Sequence, residues 1–261
     1  MHRLISFFQY LWHSHNKHMV HSPFVYQWND EILPDTKKFY AFIPIEKLRN
    51  KLLQDETKLN ILDLGAGSKK LTSHIRKIKD IVATSSRSAH IGRLLFRIIN
   101  HWQPKVMIEL GTNLGIGSLY MHAACRQSKF YTIEACPSIA TQARLNFESL
   151  DALDIQLINK EFTSALPSIL SHEKIDLALI DGNHTEAATM QYFEMFKKIR
   201  HEKMLLIFDD IYWSRGMTAA WNSIKNDDTV KVTIDLFDIG LVFFKTDQPK
   251  ENFVIRYDGQ F

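Results

Sequence analysis

From Pro104 onward the chain alternates short aliphatic runs with helical stretches, and this alternation limits the possible folds more than any other feature. "KVMIEL", "KFYTIEA", "IQLINK", "IDLALID" and "KMLLIFDD" read as strands. "GSLYMHAACRQ", "PSIATQARLNFESL", "SALPSIL", "TEAATMQYFEMFKKIR" and "RGMTAAWNSIKN" read as the helices between them. Each return to a parallel strand needs a crossover, and a helix supplies it, so the pattern implies a parallel sheet with helices on both faces. "VKVTIDLF" and "GLVFFKT" follow, joined too tightly for a crossover, and must pair antiparallel. The expected fold is α/β and Rossmann-like: a seven-stranded, mostly parallel sheet closed by an antiparallel C-terminal hairpin. Residues 1–88 are expected to form a mainly helical N-terminal cap, and 89–261 the sheet domain.

The cap expectation rests on local signals. Ser22 and Pro23 mark a helix start in "SPFVYQWNDEIL". "IPIEKLRNKLLQDE" carries apolar residues at helical spacing, among them Ile45, Leu48 and Leu52; "AHIGRLLFRIINHW", which opens the 89–261 domain, does the same with Leu94, Leu95, Ile98 and Ile99. The run Leu4–Trp12 is too short for a membrane span and lacks a cleavage site after it, so it reads as a docked amphipathic helix rather than a signal peptide.

Two glycine turns compete for the role of ligand-facing loop, "ILDLGAGSKK" and "MIELGTNLGIGS". In an open α/β sheet the ligand lies beyond the carboxyl ends of the strands, and an acid ending the next strand takes the ribose hydroxyls. After the second turn come a helix and "FYTIEA", with Glu134 ending the strand 23 positions after Gly111. After the first turn the only strand-like run, "DIVAT", begins with its acid, and the alternation does not continue. The second turn, with Gly111, Gly115 and Glu134, is the expected site. The first is expected to be a strand and turn of the cap, lying over the cofactor cleft.

With "IELGTNLGIGS", "YTIEACP", "IDLALIDGNH" and "LLIFDDI" in this order and spacing, the chain from about His90 resembles a class I S-adenosylmethionine-dependent methyltransferase. "IDGNH" and "FDDIYW" resemble its small-molecule O-methyltransferase branch. "HSPFVY" and "DLGAGSKK" resemble an extension carried by some bacterial members. The resemblance implies S-adenosylmethionine as cofactor. Gly111 and Gly115 would approach its methionine part within a turn that also holds Glu109, Thr112, Asn113 and Ser118. Glu134 would bind the ribose, and Glu161 or Phe162 would meet the adenine, where an Asp is the usual residue. Asp181 would complete the cofactor shell.

Asp181 ends the fourth of these strands, and Asp209 with Asp210 ends the fifth. Carboxylates this close repel unless a cation joins them. The metal-dependent branch of the family places acids at these positions, so the resemblance makes Asp181, Asp209 and Asp210 metal-ligand candidates, with Mg²⁺ the metal that all-oxygen ligands favour. His184 and Asp181 are the candidates for activating an acceptor hydroxyl. The competing reading is structural: Asp181, Asn183 and Thr185 can cap the helix that follows. Tyr212, Trp213 and Arg215 either line the acceptor mouth or pack. His13, His15, His18 and His21 lack a Cys or acid to complete a metal set.

A net charge of +3 with scattered basic residues gives no footprint for nucleic acid, and no segment is long and apolar enough for a membrane. Two cysteines, Cys125 and Cys136, do not make a disulfide framework and fit a cytoplasmic protein. The expected activity is methylation of a hydroxyl on a small-molecule acceptor, with a homodimer open as the assembly. "DGNH" differs from the Asn-Pro-Pro-Tyr-like turn of amino-methylating branches. The rival readings are a cofactor binder without turnover and a dinucleotide-dependent oxidoreductase. The second fits poorly, since Gly111, Gly115 and Gly117 depart from the Gly-x-Gly-x-x-Gly spacing.

Overall fold

The computed structural model describes residues 1–14, 22–34, 36–63, 72–86 and 88–257, with backbone alone at 63 and 72–74. His15, His18, His21, Gly65, Gly67, Lys69 and Lys70 lie outside the described residues. By internal contacts the chain divides into two compact units, Met1–Pro34 with His172–Phe261, and Asp35–Ser171.

The chain opens with α1 (His2–His13) and α2 (Pro23–Gln27), the latter running on as a π-helical turn, Trp28–Ile32. As expected, Pro23 starts α2 and the Ser22 hydroxyl accepts from the Val25 N–H. Trp28 is fully buried, its ring 5.2 Å from that of Phe243.

In the Asp35–Ser171 unit, α3 (Phe42–Leu52) buries Phe42, Ile45, Leu48 and Leu52 on one face. The next segment departs from expectation. β1 (Lys58–Asp63) pairs antiparallel with β2 (Thr72–Lys77) in a separate two-stranded sheet, and "DIVAT" lies in a helix, α4 (Ile78–Ser85). Its Ile78, Ile81 and Val82 recur at helical spacing and are buried, so packing of this face outweighs the β-branched composition. α5 (Ala89–Trp102) is capped by the Ser88 hydroxyl and ends at Gln103 in the left-handed region, just before Pro104. Then follow β3 (Val106–Leu110), α6 (Ile116–Ala124), β4 (Lys129–Ile133), α7 (Pro137–Ser149), β5 (Gln156–Ile158) and α8 (Phe162–Leu170). β3, β4 and β5 are adjacent and parallel. Rings of Phe39, Phe42, Phe96 and Tyr120 pack together beside them.

The remaining elements are β6 (Leu177–Ile180), α9 (Glu186–Lys198), β7 (Leu205–Asp209), α10 (Arg215–Asn226), β8 (Val232–Asp235), β9 (Ile239–Phe243) and β10 (Glu251–Val254). Thr185 caps α9 and Ser214 caps α10. The strands of this unit run in the order β10-β8-β9-β7-β6. β6 and β7 are parallel, and β9 is antiparallel to both β7 and β8, which is the expected hairpin. Among the described residues β10 is a strand beyond those expected, paired parallel with β8 at the edge. β6 and the Leu205–Phe208 stretch of β7 are continuous apolar runs, buried throughout, as the middle of a sheet covered on both faces requires. Among the described residues no helix is long and apolar enough to cross a membrane.

Candidate functional site

In the Asp35–Ser171 unit, the loops after β3, β4 and β5 leave the carboxyl ends of three neighbouring parallel strands. The loop after β3 turns through three residues of positive φ: Gly111 at 103°, Asn113 at 51° and Gly115 at 80°. Glycine meets the first and last without a Cβ penalty, and Asn is among the few side chains that tolerate the second. Gly115 is constrained by packing as well, because a Cβ there would lie 2.4 Å from Cε1 of Phe147.

Glu134 stands just past β4 and is half-buried. Its Oε2 accepts from the Asn113 N–H at 3.0 Å and its Oε1 from the Cys136 N–H at 2.9 Å. Burial pushes its carboxyl above the usual range, and the backbone donors of Cys136, Asn113 and Ala135 oppose that. Each carboxylate oxygen has a further lone pair, so the group can accept from a ligand diol.

The other expected residues of this turn are placed differently. Glu109, Thr112 and Ser118 are buried. Glu109 Oε2 accepts from the Thr132 hydroxyl at 2.7 Å and from the Ser118 hydroxyl, while Thr112 and Thr132 share a bond of 2.6 Å. This network braces the loop from beneath. Glu161 is exposed at the N-cap of α8, and Phe162 is half-buried at its first position.

Two contributors were not expected. The Asn159 side-chain amide donates to the carbonyls of Glu134, at 2.7 Å, and Ala135, at 3.2 Å, tying the end of β5 to the Glu134 turn. Its position directly after a strand was the available signal. Strand β1 abuts the same turn: the Ser138 hydroxyl donates to the Asn60 carbonyl at 2.7 Å, and the Leu62 N–H to Cys136 Sγ at 3.4 Å. The first glycine turn therefore follows a strand of a hairpin that packs beside Glu134, rather than a strand leading into a crossover helix.

The acids lie in the other unit. Asp181 follows β6, and its Oδ1 is 3.5 Å from His184 Nε2. Between them Asn183 takes a φ of 50° in the turn before α9. Asp209 is the last residue of β7, and Asp210 follows with a φ of 52°. Asp210 Oδ1 is 3.7 Å from Arg3 Nη1, and its N–H donates to the Asp238 carbonyl at 2.7 Å. Burial first, then the charge of Asp209, pushes the Asp210 carboxyl up to about 6, against the lowering effect of His184 and Arg3.

The residues present do not fit the divalent metal expected at Asp181, Asp209 and Asp210. Among the described residues no group of three or more His, Cys, Asp or Glu side chains converges so as to hold a metal ion. Asp181 lies against His184, and Asp210 against Arg3. Tyr212 packs rather than opening outward: its hydroxyl donates to the buried Asp235 at 2.6 Å and its ring stacks on Phe237. Trp213 and Arg215 are exposed.

Residues 108–211 match the Methyltransf_24 family, described as a methyltransferase domain. Among solved structures, the chain is similar to an O-methyltransferase from Bacillus cereus in complex with SAH, at 15% identity and TM-score 0.55, covering 84% of this chain and 96% of that one. It is also similar to the SAM-bound O-methyltransferase TomG from Streptomyces achromogenes, at 16% identity and TM-score 0.55, over 85% and 95% of the two chains. A third is the SAH-bound methyltransferase PaMTH1 from Podospora anserina, at 12% identity and TM-score 0.59, over 81% and 91%. At these identities the likeness establishes the fold, a Rossmann-like methyltransferase fold. A comparison with curated protein sequences gave no match.

Proposed function

We propose that this chain, a class I methyltransferase-like protein with its methyltransferase domain at 108–211, transfers a methyl group from S-adenosylmethionine to a hydroxyl of a small-molecule acceptor in the cytoplasm. The observation that carries the reading is the Glu134 carboxylate at the end of β4, held by the N–H groups of Asn113 and Cys136 beside the glycine-conformation loop. A ribose diol needs such an oriented acceptor pair, and a methionine moiety needs a loop whose backbone it can approach closely. The names of the structural neighbours support the same class.

Methyl transfer is an in-line displacement. The acceptor oxygen's lone pair attacks the methyl carbon, the carbon–sulfur bond breaks with its electrons to sulfur, and the hydroxyl proton must leave. His184 is the candidate to take that proton, with Asp181 Oδ1 near enough to orient the imidazole. In this reading residues 89–261 carry the chemistry and the N-terminal segment shapes acceptor access. No step is assigned to a metal.

Calorimetry with S-adenosylhomocysteine tests the reading. We expect binding that Glu134→Ala weakens at least tenfold and His184→Ala leaves alone, while His184→Ala lowers turnover. Absence of S-adenosylhomocysteine binding together with binding of a nicotinamide dinucleotide would move the chain to the oxidoreductase class. Binding without turnover on any hydroxyl acceptor would favour a non-catalytic binder.

A further inference from the structure

Helix α1 carries a cation onto the acidic end of β7. Arg3 Nη2 donates to Asp238 Oδ1 at 2.7 Å, and Nη1 lies 3.7 Å from Asp210 Oδ1. The guanidinium carbon is 5.8 Å from the ring centroid of Trp213 and 5.7 Å from that of Phe237, so two aromatic faces flank the charge. The helix is held in place independently of Arg3. The Tyr10 hydroxyl donates to the Ile255 carbonyl at 2.6 Å and accepts from the Tyr257 N–H at 3.1 Å. His2 Nε2 meets the Thr218 hydroxyl at 3.0 Å, and the Phe7 ring meets Phe237 edge-on at 5.0 Å.

We propose that Arg3 is the resident cation of this acidic site, occupying by charge the place that a divalent metal would otherwise take, so that α1 is part of the site and the protein works without added metal. Clustered carboxylates need a positive charge nearby to remain ionised together. A guanidinium meets that need well: it is always charged, weakly hydrated, and offers a planar fork of donors to more than one carboxylate. The Asp210 N–H bond to the Asp238 carbonyl already joins the loop after β7 to the β8–β9 turn, and Arg3 bridges the two side chains across that junction. A metal approaching Asp210 would have to displace Arg3 and would be repelled by it. The consequence for turnover rests on the methyltransferase reading, whereas the occupancy by Arg3 does not.

Mn²⁺ titration followed by electron paramagnetic resonance, on the full chain, tests the proposal. Wild type is expected to bind Mn²⁺ no more tightly than Asp210→Asn. Arg3→Met, which keeps the stem packed on Trp213 and Phe237 but removes the charge, is expected to gain at least tenfold in Mn²⁺ affinity, and adding Asp210→Asn should cancel the gain. Arg3→Lys should stay close to wild type. Mn²⁺ binding by wild type that Asp210→Asn abolishes overturns the proposal even if Arg3→Met does not fold, and so does a folded Arg3→Met with no gain. S-adenosylhomocysteine binding measured on the same samples separates this result from the cofactor reading.

Discussion

The Asn113 N–H donates to Glu134 Oε2 at 3.0 Å, so the loop after β3 and the acid after β4 are joined by one hydrogen bond. A residue of φ 51° supplies the donor, and a carboxylate already held by Cys136 N–H receives it. The loop conformation and the orientation of the Glu134 carboxylate are thereby a single structure.

Removing that acid should therefore affect both binding and stability. Glu134→Ala leaves the Asn113 and Cys136 N–H groups without their acceptor and is expected to cost about 1–3 kcal/mol of folding stability, read by denaturant titration. The accompanying loss of S-adenosylhomocysteine affinity should exceed that of Glu134→Gln, whose amide oxygen retains one of the two acceptor positions.

The two glycine turns should separate in mutagenesis. Gly111→Val places a branched side chain at a φ of 103° and is expected to abolish S-adenosylhomocysteine binding. Gly65→Val should leave binding largely intact by calorimetry. The opposite ranking would move the cofactor site to the first turn. Gly115→Ala should keep the fold at a cost of about 1–3 kcal/mol, since its Cβ must displace Phe147.

Asp210 predicts a pH dependence. Its folded-state carboxyl titrates near 6 against an ordinary value of 3.8, so the folded chain holds this proton more tightly than the unfolded one. The stability it contributes is present in full below about 3.8 and is lost as pH rises to about 6. Asp210→Asn does not titrate, so its melting temperature relative to wild type should be higher at pH 7.5 than at pH 3.5. Arg3→Met should extend the wild-type loss to higher pH. A difference that does not change between these pH values would contradict the placement of Asp210.

Tyr212 should prove structural. Asp235 is buried at 1% exposure and takes donors from the Tyr212 hydroxyl, the Trp221 indole at 3.0 Å and the Phe237 N–H at 3.0 Å. Tyr212→Phe removes one donor from a buried carboxylate, and a loss of about 1.5–3 kcal/mol is expected in thermal melts, with no change in S-adenosylhomocysteine affinity.

The sequence by itself determined the succession of parallel strands and helices from Val106, the closing hairpin, and the placement of Glu134 just past the strand that follows the Gly111–Gly115 turn. These follow from local causes: hydrophobic period, turn chemistry, and the spacing of an acid along one crossover. The tertiary structure decided what depends on residues distant in the chain. "DIVAT" became a helix because its apolar face is buried, and β10 formed because β8 offers an edge for pairing. Glu109 and Ser118 went inward to brace the loop because a hydroxyl donor, Thr132, lies on the neighbouring strand. Above all, Asp210 meets Arg3, more than two hundred positions away. No pattern along the chain encodes that pairing, because it arises only when α1 docks beside β7 and the guanidinium answers the charge it finds there.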